Sequence, residues 1–215
     1  GACCSGDQTT LTRQYSCGPA SWLSVAGLAL VTITLSNSGE LPMHTFPEFG
    51  HQIVGPPPGH TGGFGEPTCL ECHIGSDLNE PGSTLEVVGV GGSYRPGELY
   101  EVTIRLVSYE MLAAGFQAAF RTTKDLNHGK STGRLQPIDD RVAVVPSESG
   151  DVRYVQHTDL GTPANGKSAE WMFEWTAPTH EEAVVLHVAA NSGNGDNSPL
   201  DDLVYTSSII LTSHK

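Results

Sequence analysis

The sequence predicts an all-β chain, an antiparallel β-sandwich preceded by an irregular N-terminal arm, and three observations carry that reading. Gly and Pro are abundant, 25 and 14 of 215 residues, a composition that disfavours long helices. After residue 83, short runs rich in β-branched and aromatic residues recur, each bounded by turn formers. Within Leu99–Val107, Tyr100, Val102, Ile104 and Leu106 alternate with Glu101, Thr103 and Arg105. That is the period of a sheet with one face on a core and the other in water.

Taken in order, the strand signals fall at 84–90, 99–107, 115–123, 140–145, 152–157, 168–176, 183–190 and 203–212. Trp171, Phe173 and Trp175 form one face of their run and Val185, His187 and Ala189 one face of theirs, with Met172 out of phase and expected to be exposed. Trp171 or Trp175 is expected in the core. Tyr94-Arg95-Pro96-Gly97 and Ala177-Pro178 read as turns.

Upstream, Trp22 to Leu35 is a mostly apolar run preceded by Arg13. It has the length of a signal-peptide core and is shorter than the ~20 residues of a membrane span. Export with removal of the chain somewhere between Leu35 and His51 is the expectation, with an uncleaved anchor or a buried strand as the alternatives. Residues 42–67 are dense in Pro and Gly, which interrupt regular elements. The chain thus divides into a leader at 1–45, a Pro/Gly-rich segment at 46–83 and a sandwich at 84–213. Asp and Glu number 24 against 11 Lys and Arg, for a net charge of −13. That balance argues against nucleic acid and anionic membranes as partners and favours a basic one.

The segment 46–83 holds the one motif with specific chemistry, Cys69-Leu70-Glu71-Cys72-His73. C-x-x-C-H suits covalent attachment of one c-type haem, two thiols adding to its vinyl groups and the next His reaching the iron. Zinc would need a second Cys/His pair, and a thioredoxin-like pair would need a βαβ setting. A disulfide or a chance pair is the plain alternative. Cys3, Cys4 and Cys17 precede the apolar run, so with two cysteines given to haem the mature domain is expected to hold no structural disulfide.

Opposite His73, a second His is favoured over Met43, Met111 or Met172, since eight other His compete with three Met. His44, His51 and His60 lie on the arm. His60, on a Gly-flanked loop, and His157, at a strand end, are the named candidates, and His187 reads as an ordinary strand residue. Asn191 to Asp202 offers oxygen ligands of the kind calcium takes, but without EF-hand spacing, so a solvated loop is the expectation and calcium the alternative. Neither a phosphate loop, a G-x-S-x-G elbow nor an H-E-x-x-H pair occurs.

Several pieces recur in a recognisable order. They are Gly55-Pro-Pro-Pro-Gly59-His60-Thr-Gly, Gly65-Glu66-Pro-Thr-Cys69-x-x-Cys72-His73, Tyr94-x-Pro96-Gly97-x-x-Tyr100, Gly115-Phe116-Gln117, His157-Thr158, Trp171-x-Phe173-x-Trp175-Thr-Ala-Pro178, Ala190-Asn191 and Asp202-x-x-Tyr205-Thr206. Together they resemble the bacterial choice-of-anchor V surface proteins, which are related to the reeler domain. The resemblance covers roughly 55–212 and implies an exported reeler- or immunoglobulin-like sandwich with the C-x-x-C-H segment at its N-terminal edge. It implies no substrate, and reeler-type domains carry a His-Thr or His-Ser pair without haem. Two functions follow as expectations. One is an exported monohaem carrier, periplasmic or at the cell surface, passing one electron to a redox partner protein of basic charge. The other is a surface recognition or adhesion module in which the C-x-x-C-H segment is structural.

Overall fold

The computed structural model describes residues 55–109, 111–124 and 128–214; the leader, His44, His51 and Cys3, Cys4 and Cys17 lie outside them. Ten strands follow the arm: β1 (Thr84–Val88), β2 (Ser93–Tyr94), β3 (Leu99–Val107), β4 (Ala113–Thr122), β5 (Arg134–Pro137), β6 (Val142–Pro146), β7 (Arg153–His157), β8 (Ser168–Thr176), β9 (Ala183–Gly193) and β10 (Leu203–Ser213). They form a four-stranded sheet ordered β1-β3-β8-β5 and a six-stranded sheet ordered β2-β10-β9-β4-β7-β6. Every ladder is antiparallel except the short pairing of β2 with β10. The expected antiparallel sandwich is therefore the fold, and no helix among the described residues is long and apolar enough to cross a membrane.

Alternation on β3 and β8 builds one wall of the core. Register places Val102 beside Phe173, Ile104 beside Trp171 and Tyr100 beside Trp175. Across the sandwich Phe116 stacks on Trp171 at 4.8 Å between centroids and Phe120 on Trp175 at 4.2 Å. Both tryptophans are fully buried, and each indole N–H donates to a backbone carbonyl, Trp171 to Gly161 at 2.9 Å and Trp175 to Thr132 at 3.2 Å. Those bonds keep the polar tips satisfied inside an apolar layer. Met172, expected in solvent, is half-buried.

Two strands escape the sequence pattern. β2 is two residues long, inside the stretch read as a turn, yet Tyr94 is fully buried and its hydroxyl donates to the Glu182 carbonyl at 2.8 Å. β5, Arg-Leu-Gln-Pro, lacks β-branched residues; it is an edge strand, where Pro137 removes no ladder donor that a neighbour needs.

The six-stranded sheet departs from the one-face-in-water expectation. Nine consecutive residues of β4, Ala114 to Thr122, are buried, and on β9 both Val188 and Ala189 have no exposure. Its outer face is covered by the arm.

Truncating either tryptophan leaves a large cavity. Trp171→Ala and Trp175→Ala should each cost ~3–5 kcal/mol in chemical denaturation. A variant melting with the parent would remove that residue from the core.

Candidate functional site: the arm on the outer face of the large sheet

Polar side chains on the outer face of β4 and β7 hold the arm by its backbone. The Gln117 carbonyl oxygen accepts from the amides of Gly59 at 2.8 Å and His60 at 2.7 Å, while its amide donates to the Pro57 carbonyl at 3.0 Å and to Gln156 at 2.9 Å. Gln156 in turn donates to the Pro56 carbonyl at 2.9 Å. A Pro/Gly segment has no ladder of its own, so these side chains supply the partners its backbone requires.

Further along, Glu66 is the anchor. Its carboxylate accepts from Thr61 at 2.6 Å and Tyr154 at 2.5 Å and pairs with Arg121, which also donates to the Gly129 carbonyl. Burial, reinforced by the neighbouring Glu66 carboxylate, pushes the Tyr154 phenol well above its usual value. The Arg121 guanidinium lies over the Phe64 ring at 4.4 Å. That ring also meets His187 edge-on at 5.4 Å and His128 at 5.0 Å.

His187 is more than an ordinary strand residue. A Cβ at Gly63 would fall 2.5 Å from its ring, and its Nδ1 is buried with no hydrogen-bond partner. Burial first, and then the Arg121 charge, lowers its pKa, against a smaller opposing pull from Glu66. Gly63 is thus required for close approach, since any side chain would strike the imidazole.

The Cys-His segment completes the arm. Cys69–Glu71 is a single turn of 3-10 helix capped by Thr68, whose hydroxyl accepts from the Leu70 amide at 3.2 Å, and the His73 amide bonds back to the Cys69 carbonyl at 2.9 Å. Cys69 has no exposure and packs on Ala189 and Val204. Both Cys69 and Cys72 are disulfide-bonded, which corrects the expectation that this region holds no structural disulfide. The His73 Nδ1 lies 2.6 Å from the Asp202 carboxylate, both side chains nearly fully buried. Asp202 also accepts from the Asn194 amide at 3.3 Å, and its carbonyl accepts from Ser76 at 2.5 Å.

The structure brings His60 close to the motif but engages both of its ring nitrogens. Nε2 meets Glu71 at 2.7 Å and Nδ1 the Pro57 carbonyl at 3.0 Å. His157 is elsewhere. Its Nδ1 sits 3.0 Å from the Phe116 amide and 3.1 Å from that residue's carbonyl, extending the β4 and β7 pairing, whereas His73 is tied to the start of β10. With β9 and β4 between those strands, His157 and His73 do not face one another. In the loop weighed for calcium, Asn194 and Asp196 are used in local turns and Asp202 on His73. No group of three or more His, Cys, Asp or Glu with metal-holding geometry occurs among the described residues.

For haem, the donor types fit and the packing does not. Thioether attachment needs two thiols open to a macrocycle, but both sulfurs are in disulfide linkage and Cys69 and His73 are sealed against the sheet.

No family model matches the chain. No curated protein sequence matches it either. Solved structures similar to it include the Reelin-N domain of F-spondin, 18% identical with a TM-score of 0.41 over 65% of this chain and 93% of that one. The human F-spondin reeler domain is 20% identical with a TM-score of 0.38 over 66% and 96%. A cohesin module from a Clostridium perfringens family 33 glycoside hydrolase is 16% identical with a TM-score of 0.38 over 62% and 97%. The fold of this chain is read from its own two sheets and its function from its own residues.

Two outcomes check the arm. Gln117→Ala strands three arm contacts and one to Gln156 and should cost on the order of 2 kcal/mol, with the amides of Gly59 and His60 gaining hydrogen exchange before the rest of the arm. The lowered pKa of His187 fixes the sign of a pH effect. Neutral His187 contributes fully above the ordinary value of about 6.5, and stability falls as pH drops from there toward the lowered native value, because the unfolded chain binds the proton more readily. In His187→Gln, melting temperature should lose that part of its slope between neutral and mildly acidic pH.

Proposed function

We propose that the chain is an exported, reeler-like β-sandwich acting as a recognition or adhesion module, with the C-x-x-C-H segment as the structural clasp that fastens the arm to the large sheet. One observation carries this. The side chains most open to a redox role are engaged otherwise: Cys69 and Cys72 are each disulfide-bonded, His60 meets Glu71 within the arm, and His73 is tied to Asp202 at the start of β10. A disulfide belongs to an oxidising compartment, which supports export to the periplasm or the cell surface. The resemblance to choice-of-anchor V surface proteins points the same way.

The monohaem carrier is the second reading, and one observation favours it. The His73 Nδ1 is held by Asp202, the way an outer carboxylate orients a ligating imidazole.

One experiment separates the two. The full chain is produced in an exporting host that carries cytochrome c maturation, then probed by absorption and peptide mass. The clasp reading expects no Soret band, with Cys69 and Cys72 open to alkylation only after reduction. A peptide spanning Cys69 and Cys72 that carries the mass of haem would overturn it in favour of the carrier.

A further inference from the structure

One end of the sandwich gathers apolar side chains that the core does not use. β3 ends at Val107 and β4 starts at Ala113; β9 ends at Gly193 and β10 starts at Leu203; β8 starts at Ser168, opposite Val107. Residues 108–109 and 111–112, and the loops 158–167 and 194–202, therefore lie together at this end. They are knitted to one another by hydrogen bonds from the Leu112 amide to the Gly193 carbonyl at 3.0 Å, from the Ala114 amide to the Thr162 carbonyl at 2.8 Å and from the Ser108 amide to the Lys167 carbonyl at 2.9 Å. The segment after the clasp joins them, with Ile74 bridged to Leu200.

On these loops Ile74, Tyr109, Leu112, Leu160 and Leu200 are each 50–70% exposed. Leu112 is braced from below, since a Cβ at Gly195 would fall 2.8 Å from its own Cβ. Single exposed leucines are ordinary on a protein surface, but several sharing one loop cluster are not. The same segments carry the exposed residues Asp77, Asp159, Asp196 and Asp201. Among the described residues of these loops and their flanks, the cations are Lys167, which lies over the Tyr109 ring at 4.9 Å, and Arg141. Local charge thus follows the −13 of the whole chain.

We propose that this loop end docks a cationic amphipathic segment of a partner protein. Its apolar side chains seat on Ile74, Leu112, Leu160 and Leu200, and its lysine or arginine side chains meet Asp77, Asp159, Asp196 and Asp201. The inference rests on the recognition reading and names its surface and the chemistry of its partner. Apolar contact supplies affinity at the centre, and the carboxylates select and steer a positive partner. The clasp fits the same picture, because the bonds from His73 and Ser76 to Asp202 hold Ile74 and the 194–202 loop in register.

The probe is a synthetic amphipathic peptide of leucine and lysine, with a peptide of equal charge in which serine replaces leucine as control, titrated calorimetrically against the full chain. The parent should bind the leucine peptide more tightly than the serine peptide and keep that preference as salt rises, since the apolar share is unscreened. Ile74→Ser, Leu112→Ser and Leu200→Ser combined should weaken the leucine peptide roughly tenfold or more, as expected from the apolar area lost, and leave the serine peptide unchanged. All three positions are exposed, so the variant should melt with the parent. Equal binding of both peptides by the parent, or an undiminished affinity in the triple variant, would overturn the dock. So would an apolar end that buries itself in a dimer lost in the variant. Haem on the peptide of Cys69 and Cys72 would sink the recognition reading alone, so the two fail separately.

Discussion

A guanidinium and an amide on the outer face of a sheet set the terms for this molecule. The outer face of β4 presents Gln117 and Arg121, both buried, and a buried amide or guanidinium without partners is expensive. The arm meets that demand with Glu66 and with the free carbonyls and amides of a Pro/Gly stretch. The dependence runs both ways, because a segment so poor in regular structure would otherwise leave its own backbone unpaired. Sheet and arm are each incomplete alone, and they form one compact unit.

This explains which parts were legible. Period-two alternation on β3 and β8 is a local signal and gave the small sheet and the aromatic layer directly. β2 and β5 are held by their neighbours and carry no such signal: Tyr94 by burial and its bond to Glu182, Arg134 to Pro137 by an edge position beside β8. The covered outer face was visible only as an oddity, the near-continuous burial of β4 written as Ala-Ala-Gly-Phe-Gln-Ala-Ala-Phe. Gln117, Ala119 and Arg121 share one face of that strand at a spacing of two, and polar residues inside an apolar strand mark a polar partner above it.

The Cys-His motif shows where spacing stops informing. Cys69, Cys72 and His73 stand at intervals that suit haem attachment and also admit a disulfide, and the residues that surround them in the fold lie far along the chain. Asp202, 129 residues on from His73, takes the imidazole; Ala189 and Val204 wall in the first sulfur. Neither could be assigned to the motif from its neighbourhood. Glu71 and Glu66 were equally silent, though each sits within a few residues of a named candidate.

The order of the arm's attachments also has a mechanical meaning. Pro56, Pro57, Gly59, His60 and Glu66 are fastened in sequence along the sheet. A tension applied at Gly55 loads these bonds one after another, as in peeling, while β9 and β10 resist through ten registered pairs. A module tethered through its N-terminus would therefore lengthen first by paying out the arm. The extension would pause where His73 is held by Asp202, and the aromatic layer would still be intact.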